Sequence, residues 1–149
     1  MSTKRLASTG NKIGVWMYRT LGGRLASGSK DVHVMVVTTP GRRTGVARST
    51  CVRYLDTRDG FVVWGTGSGS PRDPDWFRNL RSAAEAEVQV GTRRVRVRPR
   101  ELVGEERAEV WTDVVLAQAP EVGKYARKAA RTIPVAVLQP IEGVTGDGR

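Results

Sequence analysis

The period of the apolar positions changes along this chain, and each change marks an element. From Lys12 to Leu25, Ile13, Trp16, Met17 and Leu21 recur at spacings of three and four, which predicts an amphipathic helix ending at Gly22 or Gly23. Val32 to Thr39 is rich in β-branched residues and predicts a buried strand. Pro40-Gly41 through Gly45 turns it into a second strand from Val46 to Leu55, and Asp59-Gly60 marks a further turn into Phe61 to Gly65. After a glycine/serine loop, Asp73 is placed as an N-cap with Pro74 at the first helical position. Trp76, Phe77 and Leu80 then form one apolar stripe.

Val88, Val90, Val95 and Val97 alternate with polar residues across Gly91-Thr92, giving a hairpin whose outer face carries Arg94, Arg96, Arg98 and Arg100. A helix is expected from Gly104 to about Ala117, with Ala108, Trp111 and Val115 on one face, stopped by Pro120. A short helix from Glu121 to Ala129 leads to a last strand, Ile133 to Leu138. About six antiparallel strands in hairpins with few helices define a mainly β fold with flanking helices, a small barrel and not an alternating parallel sheet. One domain is expected over residues 31–141, after a flexible N-terminus with its helix over 1–30 and before a disordered tail over 142–149.

Composition narrows the partner. The 149 residues carry 25 lysines and arginines against 15 acidic residues, a formal charge of +10 and a pI near 10.8, so an anionic partner is expected. Nucleic acid, anionic lipid and a phosphorylated or polycarboxylate small molecule all satisfy that. Cys51 and His33 are the only cysteine and histidine, which excludes an internal disulfide and a sulfur/imidazole zinc site and suits a reducing cytoplasm. No signal peptide and no membrane-spanning run is legible. The N-terminal helix either packs on its own barrel or touches the inner face of a membrane as a peripheral contact.

The candidate chemistry lies in two stretches. In GTGSGS, Gly65, Gly67 and Gly69 leave the backbone open to a flat ring or a phosphate, and Thr66 and Ser68 add hydroxyls. As a dinucleotide fingerprint it fails, since Ser70 stands where the third glycine belongs. In TTPGRRTGVARSTCVRYL, strand alternation from Arg48 puts Thr50, Val52 and Tyr54 on its face, while Arg43 protrudes from the turn. Arg43 and Arg48 can therefore converge on one anion. His33 and Cys51 read as structural.

The ordered segments TTPGRRTGVAR (38–48), YL (54–55), the glycine/serine loop, DPDWFRNL (73–80), EVQV (87–90), ELVGEER (101–107) and RTIPVAVL (131–138) strongly resemble the deazaflavin-dependent nitroreductase family, which includes quinone reductases that use coenzyme F420. The resemblance spans Val32 to Pro140. It implies a split β-barrel like those that bind FMN, and hydride transfer from reduced F420 to a quinone, nitro compound or other electron-poor acceptor. The coenzyme it implies carries a phosphate and an oligoglutamate tail. By position, Arg43 and Arg48 match basic residues near those groups. Tyr54, the backbone of Gly65, Thr66, Gly67 and Ser68, and Trp76 and Asn79 fall in segments that hold the ring and its linker. Tyr125 lies in the helical segment that lines the acceptor side and is the side-chain candidate for proton donation. The family loop usually reads ASKGG, and Gly67 stands where its lysine would be, with Arg72 or Arg42 as compensating cations. The segment around Ala119 to Val122 has fewer aromatics than the family, keeping only Tyr125.

Two other readings stay open. The barrel could retain a cofactor or lipid without turnover, or the Arg94 to Arg100 face could bind nucleic acid, although valines replace the aromatics of a single-strand platform. FMN in place of F420 is a variant of the enzymatic reading. Either a monomer or a homodimer is compatible with the sequence.

Overall fold

A computed structural model describes residues 33–146. The helix expected over Lys12 to Leu25 lies outside the described residues. Six strands, β1 (His33–Pro40), β2 (Ala47–Thr57), β3 (Gly60–Trp64), β4 (Ala86–Val90), β5 (Arg93–Glu101) and β6 (Val135–Gly146), pair antiparallel and close into a barrel in the order β1-β2-β3-β6-β5-β4. Helix α1 (Asp75–Ser82) links β3 to β4. Helix α2 (Gly104–Val110) runs on into π-helical turns over Trp111–Leu116, and α3 (Val122–Ala129) precedes β6. The mainly β barrel with flanking helices expected from the sequence is the fold observed.

The barrel has apolar cover on both faces of one strand pair. Along β3 and β6, Val63, Ala136 and Leu138 point inward to Met35, Val52, Val88 and Val97. Their neighbours Val62, Trp64, Val135 and Val137 point outward to Val115, Ala119, Val122 and Ala129 of the helical layer. This two-sided burial is why VVW and VAVL read as unbroken apolar runs, whereas β5, covered on one side, alternates Val95 and Val97 with exposed arginines. Helix α1 closes the barrel interior with Phe77 and Leu80, 0% and 1% exposed. Burying two such side chains contributes about 1.5–3 kcal/mol each.

Three boundaries differ from the sequence expectation. Helix α1 starts at Asp75 with Pro74, extended at ψ 152°, as its N-cap, because the Asp73 carboxylate is bound by Arg131 and Arg81 and does not cap. Strand β6 starts at Val135 and continues past Leu138 to Gly146, following β5 across a register shift between Val95 and Val97. Ala108 is exposed, off the face it was expected to share with Trp111 and Val115, since the helix widens into π turns from Trp111. His33, expected inside an apolar strand, begins β1 exposed, with its ring 5.9 Å from that of Tyr54.

Candidate active site at the glycine/serine loop

The loop that leaves β3 is moored at its start by the Gly65 N–H, which donates to the Pro134 carbonyl at 3.0 Å. Thr66 is right-handed helical (φ −71°, ψ −29°) and Gly67 follows at φ +55°. A right-handed then left-handed succession turns consecutive N–H groups toward one concavity, an arrangement that receives anions. The amides of Gly69 and Ser70 close the turn on the Thr66 and Gly67 carbonyls at 3.0 and 3.1 Å. Those of Thr66, Gly67 and Ser68 have no partner among the described residues. Ser68 is held at φ 56°, a left-handed conformation that a non-glycine residue adopts at a cost of about 1 kcal/mol or more.

Arg131 holds the loop in this shape. Ala130, left-handed at φ 54°, ends α3 and delivers the next side chain across the loop. Arg131 Nε donates to the Ser70 carbonyl (3.0 Å), and Nη2 donates to the carbonyls of Gly65 (3.0 Å), Thr66 (3.3 Å) and Arg72 (2.9 Å). Nη1 donates to Asp73 Oδ1 at 2.6 Å. With those carbonyls gathered onto one guanidinium, the remaining N–H groups are left for something else. Arg81 takes the other Asp73 oxygen and forks onto Glu101 at 2.7 and 3.0 Å, and the hydrogen bond to Glu101 raises its pKa further.

The β1–β2 turn meets the loop at the start of α1. Arg42 donates through its backbone N–H (3.2 Å) and Nη1 (2.7 Å) to Asn79 Oδ1, and through Nη2 to Asp75 Oδ1 (3.3 Å). Asn79, buried in α1, thus fastens the turn, and the Arg42 guanidinium is committed to that contact and to Asp75. Asp75 lies two residues past Asp73, where Arg131 grips the loop. Arg43 and Arg48 stand exposed on this turn with no partner among the described residues. Arg48 extends the inward row of Val52 and Tyr54 past the barrel mouth.

The other candidate residues are placed as follows. Tyr54 is buried in the barrel, its ring 5.5 Å from Phe61 in edge contact. Trp76 is half-buried on α1, 5.4 Å from Phe77. Tyr125 is 41% exposed on α3, whose Lys128, three residues on along the same face, lies across Gly69. The barrel interior is filled. A cavity of about 70 Å³ between α1 and β5–β6, lined by Phe77, Leu80, Arg81, Pro99, Glu101 and Ala136, is far below the size of a cofactor site. Among the described residues no group of histidine, cysteine or acidic side chains could hold a metal ion.

Arg131 escaped residue-by-residue reading of the sequence, where it figured only inside the RTIPVAVL pattern. Its partners lie 58 to 66 residues away, so no local periodicity signals it.

Comparison with known proteins gives this geometry a class. Residues 11–140 match the model of the family described as F420H(2)-dependent quinone reductase. The chain belongs to that family, oxidoreductases that use coenzyme F420 to reduce quinones. It is 29% identical over 106 residues, 70% of this chain and 71% of the relative, to an F420H(2)-dependent quinone reductase of Mycobacterium tuberculosis (strain ATCC 25618 / H37Rv). Among solved structures, an F420-H2 dependent reductase (FDR-A) superposes with a TM-score of 0.63 at 27% identity, over 71% of this chain and 93% of that one. A chain described as a domain-swapped dimer shares the fold with a TM-score of 0.63 at 24% identity, over 93% and 94% of the two chains.

Proposed function

We propose that the Thr66–Ser68 amides receive the phosphate of F420 and that Arg43 and Arg48 bind its anionic tail, with a quinone as acceptor. The observation that carries this reading is the pairing, at one end of the barrel, of three N–H groups and two guanidinium groups that have no partner among the described residues. That donor set matches a ligand with a phosphate and several carboxylates. When bound, the reduced deazaflavin supplies the hydride. The protein contributes position: Arg43 and Arg48 hold the tail, the loop amides hold the phosphate, and Trp76 flanks the cradle with an apolar surface. A quinone that accepts the hydride needs one further proton to become its hydroquinone. Tyr125, exposed on α3 beside the loop, holds that proton on its hydroxyl.

Nitro compounds are a second acceptor class within this proposal, supported by the resemblance of the ordered segments to the deazaflavin-dependent nitroreductase family. Peripheral membrane contact through residues 12–25 lies outside the described residues, and among those described no helix is long and apolar enough to cross a membrane. On β5, Arg96 and Arg100 are neutralised by Glu85 and Glu106, which disfavours a continuous phosphate-binding row for nucleic acid.

Titration with oxidised and reduced F420, followed by tryptophan quenching, tests the reading, and turnover is followed by coenzyme absorbance with menadione. Binding with steady coenzyme oxidation is expected. Binding without turnover would leave a retention protein, and absence of binding would reject the assignment. A yellow purified protein would point to FMN.

A further inference from the structure

The anion-receiving loop carries no cation of its own between Gly65 and Ser70. One is nevertheless brought to it from a distant element. A Cβ added to Gly69 would lie 2.6 Å from Lys128 Cδ, 2.9 Å from Cγ and 3.0 Å from Cβ, so the aliphatic stem of Lys128 runs flat across the loop backbone. Gly69, at φ +89°, is the residue that leaves room for it. Lys128 is exposed, and its ammonium, two bonds past Cδ, has no ion-pair partner among the described residues. Burying the stem while the head group stays in water is the ordinary behaviour of lysine. Here the surface beneath the stem is the loop whose amides of Thr66, Gly67 and Ser68 have no partner among the described residues, and Arg131, three residues on, fixes that loop.

We infer that Lys128 is a coenzyme-binding residue: it supplies from α3 the positive charge that the glycine/serine loop lacks, and with the loop amides it forms a single phosphate site. This rests on the F420 reading of the cradle. Arg42 cannot fill the role, being held by Asn79 and Asp75. Arg43 and Arg48 approach from the β1–β2 side and serve the tail. The inference also accounts for Gly67 in place of a lysine: a cation delivered over Gly69 from outside the loop makes one within the loop redundant.

The test compares Lys128→Ala, Lys128→Arg and the unaltered protein in direct binding, by tryptophan quenching, of F420 and of the truncated deazaflavin that ends before the phosphate. Loss of one charged contact should weaken F420 binding about tenfold or more. Binding of the truncated molecule should change less than twofold, and Lys128→Arg should recover most of the loss. The thermal midpoint should stay within about 1 °C, since the substitution is at the surface. F420 preparations with short and long oligoglutamate tails separate the two anionic groups, and the Lys128→Ala deficit should not depend on tail length. Equal F420 affinity of variant and unaltered protein, or a deficit that grows with the tail or appears equally for the truncated molecule, overturns the inference. If the unaltered protein binds neither compound, the F420 reading itself fails.

Discussion

Replacing Arg131 with alanine should both destabilise the barrel and undo the shape of the glycine/serine loop, and the size of each effect follows from its contacts. The guanidinium is bound to four backbone carbonyls and to Asp73, with side-chain exposures of 16% and 24% for the ion pair. Carbonyls at a loop surface recover water when the donor is removed, so each neutral acceptor loses well under the full value of a charged hydrogen bond. Asp73 keeps Arg81 as a partner at 3.0 Å, so it is not left as an isolated charge. Between the negligible value of an exposed pair and the 3–5 kcal/mol of a broken buried one, about 3 kcal/mol is expected. In a domain of this size that lowers the thermal midpoint by about 6–12 °C. Calorimetry measures this, and amide hydrogen exchange at Gly69 and Ser70, whose N–H groups close the loop on the Thr66 and Gly67 carbonyls, should accelerate beyond the global change. Arg131→Lys should restore little, since one ammonium cannot span the four acceptors that the planar fork reaches. A midpoint shift below about 2 °C with unaltered exchange at Gly69 and Ser70 would refute the reasoning.

Other consequences can be checked separately. Arg48→Ala should weaken F420 binding about ten- to a hundredfold in a quenching titration, and unchanged affinity would remove Arg48 from the site. Asn79→Ala, which removes the acceptor shared by the Arg42 N–H and Nη1 and leaves the guanidinium to Asp75, should cost about 1–3 kcal/mol in urea unfolding at constant m, whereas a loss under about 0.5 kcal/mol would show that the turn is held elsewhere. Gly69→Ala should cost about 1–2 kcal/mol through its positive φ and the clash with Lys128, and a double-mutant cycle with Lys128→Ala should be non-additive. Burial pushes the Cys51 thiol from 9.0 up to about 11, so its folded pKa exceeds the unfolded one. Its contribution to stability is complete below about pH 9 and is lost as pH rises toward 11, a slope that Cys51→Ala should flatten. Iodoacetamide should also react slowly with the folded protein at pH 8.

The barrel was legible because its strands carry strong period-two patterns and its turns carry Pro-Gly, Asp-Gly and Gly-Thr in the right places. What could not be read was set by contacts distant in sequence. Asp73 looks like a helix cap until Arg131 and Arg81 claim its oxygens, and the start of α1 then falls at Asp75. The extension of β6 to Gly146 depends on pairing with β5 across a register shift that leaves no mark in a Pro-Ile-Glu-Gly sequence. For the site, the glycines and the exposed Arg43 and Arg48 were visible as types at suitable spacing. Their division of labour with Arg42, whose guanidinium is tied to Asn79, was not visible, because adjacent arginines in a turn look alike until one finds a partner.

Strands β3 and β6 carry apolar layers on both sides, and the two ends of the glycine/serine loop are tied to them, through Gly65 to Pro134 and through Arg131 just ahead of β6. Segments sealed on both faces are the last to open in native-state fluctuations, while a surface loop of glycines is among the first. The loop can therefore open and re-form many times without disturbing the pairing of a single strand, so rearrangement at this end of the barrel is decoupled from the lifetime of the fold.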